Sequence, residues 1–193
     1  MKTYLASKSS RRLQLLQQID LQFEIIDVDI DEHWDGNEHP RLYVERVAME
    51  KAQAGKAKIN TNEPFAIIGA DTSVVLDDIV LGKAENDEQA MIMLTKLSGR
   101  LHYVYSAVAL VTNYEGKIRT SISRVYFKPL SKHDIENYCR SGEPIGKAGG
   151  YAIQGKAAAF IERLDGSYSG VMGLPLFQLT ELLTELLKDS QSG

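Results

Sequence analysis

Cysteine is all but missing from this chain, and so is any long apolar run. Cys139 is the single cysteine in 193 residues, which excludes an intrachain disulfide and a cysteine-based zinc site and suits a reducing compartment. No stretch approaches the roughly twenty apolar residues of a membrane span. The opening MKTYLASKSSRR has no apolar core of signal-peptide length, so the expected location is cytoplasmic. Basic residues are the minority, 22 against 26 acidic, for a net charge of −4. Attachment to nucleic acid or membrane by bulk charge is thereby excluded, and an anionic ligand must be met by local clusters. His33, His39, His102 and His133 lack metal-ligand spacing, and no G-x-S-x-G elbow is present. Covalent catalysis finds little support, and neither repeats nor low-complexity segments occur.

What is present is a globular composition, 44% hydrophobic and 25% charged, enough for one good core in one or two lobes. Phe65, Ala66, Ile67 and Ile68 predict a strand buried on both faces, with Gly69-Ala70-Asp71-Thr72 at its carboxyl end. Open α/β sheets place their chemistry at such ends. Taken alone, Gly-Ala-Asp-Thr reads more readily as a turn capped by Asp71. The choice depends on what other segments supply.

Thr3 to Ala6 predicts a short strand, followed by a helix carrying Leu13, Leu15, Leu16 and Ile19. Its start, Ser7-Lys8-Ser9-Ser10-Arg11-Arg12, joins hydroxyls and two arginines to free backbone N–H groups, a composition suited to phosphate. Dipole logic alone would favour acids there. Phe23 to Asp27 predicts a second strand, and Asp27 to Glu32 forms an acidic stretch. Such a stretch is either a solvated loop or a source of one or two oxygens for Mg²⁺. A helix is predicted over Arg41 to Ala57, with Lys51 near the edge of its buried face, where lysines more often snorkel than catalyse.

Val74 to Leu76 and Ile79 to Leu81 predict a hairpin about Asp77-Asp78, followed by a helix from Asp87 to Leu97. Leu101 to Thr112 and Lys117 to Phe127 predict a long hairpin, which belongs to an antiparallel or mixed sheet. Ser131 to Cys139 predicts a helix with a capping box, and Pro175 to Leu187 an amphipathic one, with fraying from Asp189 to Gly193. Gly142 to Gly173 is glycine-rich. Gly150 to Ala157 imitates a P-loop in its glycines and Lys156, but lacks the final hydroxyl and a preceding buried strand. Gln154 within it offers both a donor and an acceptor, which suits a pyrimidine edge.

Six ordered motifs then carry a resemblance. They are Leu5-Ala-Ser7-Lys-Ser9-Ser-Arg11-Arg12, Glu50-Lys51-Ala52, Gly69-Ala-Asp71-Thr72, Lys96-Leu-Ser-Gly99, Lys147-Ala-Gly-Gly-Tyr-Ala-Ile-Gln154-Gly155 and Gly173-Leu-Pro175. Together they resemble the Maf family of nucleoside triphosphate pyrophosphatases from Tyr4 to about Leu187, and within it the dTTP/UTP branch, whose specificity positions match Arg12, Thr72 and Gln154. Ser10 replaces a usual proline, Gly82-Lys83-Ala84 replaces Glu-Lys-Pro, and Ala152 stands where glycine is common.

The resemblance implies one catalytic domain over residues 1–193, an α/β fold of the Maf/inosine-triphosphatase type with an elongated twisted mixed sheet and a cleft between two lobes. It implies hydrolysis of dTTP and UTP, and of modified pyrimidine nucleotides, to the monophosphate and pyrophosphate. Asp71 would be the base and a metal ligand, with Glu32 as the second ligand for Mg²⁺ or Mn²⁺. Arg11, Arg12, Lys51, Lys83 and Ser7 would meet the phosphates. Partners would be the nucleotide and a second copy of the chain, with no nucleic acid or membrane. Two alternatives stay open: a non-hydrolytic nucleotide-binding regulator of cell division, and the sister branch acting on 7-methyl-GTP. A nucleotidyl transferase is weaker, since it would need an acceptor.

Overall fold

Three strands of twelve residues dominate the architecture in the computed structural model, which describes residues 1–191. In chain order the elements are β1 (Lys2–Leu5), α1 (Ser10–Gln18), β2 (Glu24–Ile25), α2 (Pro40–Lys56), β3 (Phe65–Leu76), β4 (Ile79–Leu81), α3 (Asp87–Leu97), β5 (Leu101–Thr112), β6 (Gly116–Phe127), α4 (Lys132–Cys139), β7 (Ile161–Asp165), α5 (Tyr168–Met172) and α6 (Leu176–Gln191). They build a seven-stranded mixed sheet in the order β2-β1-β3-β5-β6-β7, with β4 added to β3. The fold is α/β, with helices on both faces of that sheet.

The strand end expected after Ile68 does not exist. β3 continues to Leu76 because β5 supplies antiparallel partners from Ala66↔Thr112 to Val75↔Tyr103, and this ladder overrides the turn chemistry of Gly-Ala-Asp-Thr. What ends at Ile68 is the parallel neighbour: β1 pairs with β3 only through Leu5↔Ile68, and β4 joins the same edge at Val74↔Leu81. Gly69 to Ser73 therefore has a strand on one edge and an opening on the other. The opening thus lies at the carboxyl end of β1 and not, as expected, of β3.

Alternation along β3 and β5 sorts side chains into three cores. One face carries Phe65, Ile67 and Val75 with Ala107 and Ala109 under α2, through Tyr43, Val44, Val47, Ala48 and Ala52. On the other face Ala66, Ile68, Ala70, Val108 and Leu110 lie under α1 and α6. Further along the same strands, Val74, Leu76 and Val104 lie under α3 and α4. Thr72 and Ser106 occupy the divide between these last two cores, where their hydroxyls bond to each other at 2.6 Å. Two lobes thus share one sheet face, and the cleft begins where their apolar cover parts.

Several local expectations match. The β3–β4 turn places Asp77 and Asp78 at φ of 52° and 62°, as a tight two-residue hairpin demands. α3 has the expected bounds, and Ser131 and Asp134 form a reciprocal capping box at α4. β2 is shorter than the predicted Phe23 to Asp27. The fraying expected from Asp189 falls on the end of α6, which runs through Gln191, while residues 192 and 193 lie outside the described residues. β7 and α5 were hidden inside the glycine-rich stretch. Lys156 opens a short 3₁₀ turn with no buried strand before it, so the P-loop likeness has no structural counterpart.

Candidate active site

A glycine sets the site. A Cβ at Gly69 would fall 2.2 Å from the Ala48 carbonyl oxygen and 2.7 Å from the Ala52 nitrogen, so α2 lies directly on the β3 backbone. Two residues along the same face of β3, Asp71 meets Lys51 of α2. The ammonium donates to Asp71 Oδ1 at 2.9 Å, and both side chains are 7% exposed. Lys51 also pairs with Glu32 Oε1 at 2.8 Å, and Glu32 Oε2 accepts from Lys83 at 2.7 Å. Two cations and two carboxylates form one continuous chain.

Glu32 is therefore more than part of a solvated acidic loop. Ile26, Val28 and Ile30 pack onto the α2 core while Asp27, Asp29 and Asp31 stay exposed, and the alternation brings Glu32 inward. The Tyr43 hydroxyl donates to the Glu32 backbone oxygen at 2.6 Å, and Arg46 reaches the His33 carbonyl at 3.4 Å. Burial pushes the Glu32 carboxyl upward, but Lys51 and Lys83 outweigh it and hold the group at about 2. It remains ionised at neutral pH.

The start of α1 forms another wall of the cleft. Ser9 occupies the N-cap position without a capping side-chain bond, and the first turn holds no acid. Ser10 takes the first helical position, where a proline would remove an N–H that Ser10 keeps. Ser7 Oγ accepts from Ser9 N at 3.2 Å and from Arg12 Nη1 at 3.1 Å, while Arg12 Nε donates to Gly173 O at 2.9 Å. The Arg12 fork is thus fixed by the Gly173-Leu-Pro175 motif. Burial lowers the pKa of Arg12, opposed by Asp71 and Glu32. Burial and then the Arg12 charge lower that of Arg11.

Lys83 is backed by main chain. Its segment bridges to Ala148, and Ala84 N donates to Lys147 O at 3.2 Å, a bond that a proline at position 84 could not make. The Gly82-Lys83-Ala84 departure therefore has its own support. The same pairing brings Lys147 into the cleft wall. Lys147 stands in a motif that gives it no role from sequence alone; its signal is a cation set among glycines.

The principal chamber, about 480 Å³, gathers Ser7, Arg11, Arg12, Glu32, Lys51, Asp71, Thr72 and Lys83. An adjoining chamber of about 430 Å³ shares Glu32, Asp71, Thr72 and Lys83, and adds Trp34 and Tyr43. Gln154 lines neither; it is exposed, and its amide donates to Gln14 of α1 at 3.3 Å. Among the described residues no group of three or more His, Cys, Asp or Glu could hold a metal. The two carboxylates that converge on Lys51 nevertheless suit a hard cation that keeps other oxygen ligands. With a cationic wall for a polyanion and a buried carboxylate beside it, the cleft has the groups for phosphoryl hydrolysis.

Curated relatives include a dTTP/UTP pyrophosphatase of Alkalilimnicola ehrlichii, 48% identical over 97% of this chain and 94% of its own. A dTTP/UTP pyrophosphatase of Xanthomonas axonopodis pv. citri is 49% identical over 94% and 96%, and a nucleoside triphosphate pyrophosphatase of Xylella fastidiosa 50% over 94% and 96%. Among solved structures, the Staphylococcus aureus Ham1 protein superposes over 98% of this chain and 100% of its own with a TM-score of 0.51 at 13% identity, a likeness of fold alone. The model of the family described as Maf-like protein matches residues 2–186, so with near-full-length relatives at about half identity the chain belongs to the Maf family.

Proposed function

We propose that this protein hydrolyses dTTP and UTP, and modified pyrimidine nucleotides of the same shape, to the monophosphate and pyrophosphate. The observation that carries the reading is Asp71, a buried carboxylate paired to Lys51 beside a wall of arginines and lysines. Relatives at about half identity with that printed activity support the substrate class. Residues 1–193 act as one catalytic domain, in the cytoplasm and as a homodimer, as the resemblance implies. No described helix is long and apolar enough to cross a membrane.

Glu32 and Asp71 would hold the divalent ion, Mg²⁺ or Mn²⁺, an all-oxygen pair that needs phosphate and water oxygens to complete it. When bound, the ion neutralises phosphate charge and polarises the phosphoryl group. Asp71 orients a water and takes its proton as the water oxygen attacks the α-phosphorus. The bond from that phosphorus to the bridging oxygen breaks, and pyrophosphate leaves with the electron pair. Lys51 and Lys83 meet the charge that develops on the phosphoryl oxygens, and Ser7, Arg11 and Arg12 anchor the chain of phosphates.

Specificity is assigned to Arg12, Thr72 and Gln154. Gln154 would exchange Gln14 for the O4 and N3–H edge shared by uracil and thymine, which cytosine presents with opposite polarity. A nucleotide panel tests the reading: UTP and dTTP should be turned over at similar rates, CTP and purines far more slowly. Preference for 7-methyl-GTP would move the chain to the sister branch. Tight binding without any product would make it a regulator.

A further inference from the structure

Lys147 has no part in the chemistry described so far. Its segment is held rigidly: Gly146 N donates to Ala84 O at 2.8 Å, Gly149 N to Gly82 O at 3.1 Å, and Lys147 O accepts from Ala84 N at 3.2 Å. Gly149, at φ +65°, sits so close to Val74 that a Cβ would come within 2.8 Å of it. The nearby acid, Glu143, is engaged elsewhere, by the Tyr138 hydroxyl at 2.8 Å and the Lys156 backbone N–H at 3.1 Å. Among the described residues the Lys147 ammonium itself donates only to the Ile145 carbonyl, at 3.3 Å.

Charge is unevenly distributed in the cleft. Lys51 and Lys83 are matched by Asp71 and Glu32. Arg11, Arg12 and Lys147 line the same chamber without an ion-pair partner among the described residues. Burial, and then Arg11, lower the pKa of Lys147, with Glu143 opposing. Holding three cations together without acids is costly unless a polyanion joins them. With the α-phosphate at Asp71, the doubly phosphorylated product is the fragment that matches this surplus.

We propose that Lys147 is a further catalytic residue which, with Arg11, binds the departing pyrophosphate. This rests on the pyrophosphatase reading above. Lys147 donates a hydrogen bond to the leaving phosphate and keeps its own proton, so it stabilises the electron pair that the bridging oxygen receives.

Direct binding separates this role from a structural one. Calorimetry with Mg²⁺ would measure pyrophosphate and dTMP affinity for the wild type, Lys147→Gln and Lys147→Arg, with Lys132→Gln as an exposed-charge control on α4. Lys147→Gln should weaken pyrophosphate about tenfold or more while leaving dTMP within about twofold, and Lys147→Arg should recover most of the loss. Turnover of dTTP should fall in kcat. Unchanged pyrophosphate affinity in a variant that melts like the wild type, or equal loss of both ligands, would overturn the proposal. If Lys147→Gln does not fold, a Lys147→Arg protein with wild-type melting and weakened dTMP but not pyrophosphate would overturn it equally. Wild-type protein that releases no pyrophosphate from dTTP would overturn the underlying reading, and this assignment with it.

Discussion

The Lys51 ammonium and the Asp71 carboxylate meet 2.9 Å apart between α2 and β3, each side chain only 7% exposed. Neither residue is placed by its own helix or strand alone. Their meeting depends on the contact of the two backbones at Gly69.

Gly69→Ala should therefore separate α2 from β3. The added Cβ meets main-chain atoms of Ala48 and Ala52, which cannot rotate away. Overpacking of this kind costs about 1–3 kcal/mol or more. Urea denaturation should show that loss, and turnover should fall with it because Lys51 is displaced from Asp71.

Lys51→Met tests the pair itself. Asp71 loses its only ion-pair partner among the described residues, whereas Glu32 keeps Lys83. Removing one member of a buried pair costs about 3–5 kcal/mol, while replacing both by apolar groups is often near neutral. Lys51→Met should thus be strongly destabilised in urea, and Lys51→Met/Asp71→Leu should regain stability without regaining activity. A double variant as unstable as the single one would contradict the pairing.

Two groups give acid sensitivity in separate windows. His102 is fully buried, 2.8 Å from the Tyr151 hydroxyl, and burial lowers its pKa from 6.5 to about 4. The unfolded chain binds that proton first, so stability from neutral His102 is complete above 6.5 and is lost as pH falls toward 4. For Glu32, burial raises the pKa but Lys51 and Lys83 lower it from 4.5 to about 2, so its contribution is complete above 4.5 and is lost toward 2. Urea midpoints against pH should flatten in the first window for His102→Gln and in the second for Glu32→Gln. Identical profiles in all three proteins would refute the assignment.

Much of this was visible in the residues. The boundaries of α3, the capping box of Ser131 and Asp134, and the Asp77-Asp78 turn follow from local rules, and the structure keeps them. Asp71 was harder: its position in mid-strand depends on pairing with β5, more than thirty residues downstream, which no local pattern around Gly69 reveals. Lys51 reads as a snorkelling lysine because its partners lie on other elements. Glu32 reads as loop because Tyr43 and the α2 core, which draw it inward, act through the fold. β7 and α5, five residues each, are too short and too close to glycines to leave a periodic signal. Family resemblance named these candidate residues where spacing alone left them open.

The most direct test is which bond is cut. Purified protein with Mg²⁺ and dTTP should release pyrophosphate and dTMP in equal amounts, with no orthophosphate. Asp71→Asn should keep the fold and lose about 10²–10⁴ in rate, the usual contribution of a positioned base. Orthophosphate as the primary product, or near-normal turnover by a folded Asp71→Asn protein, would contradict the account.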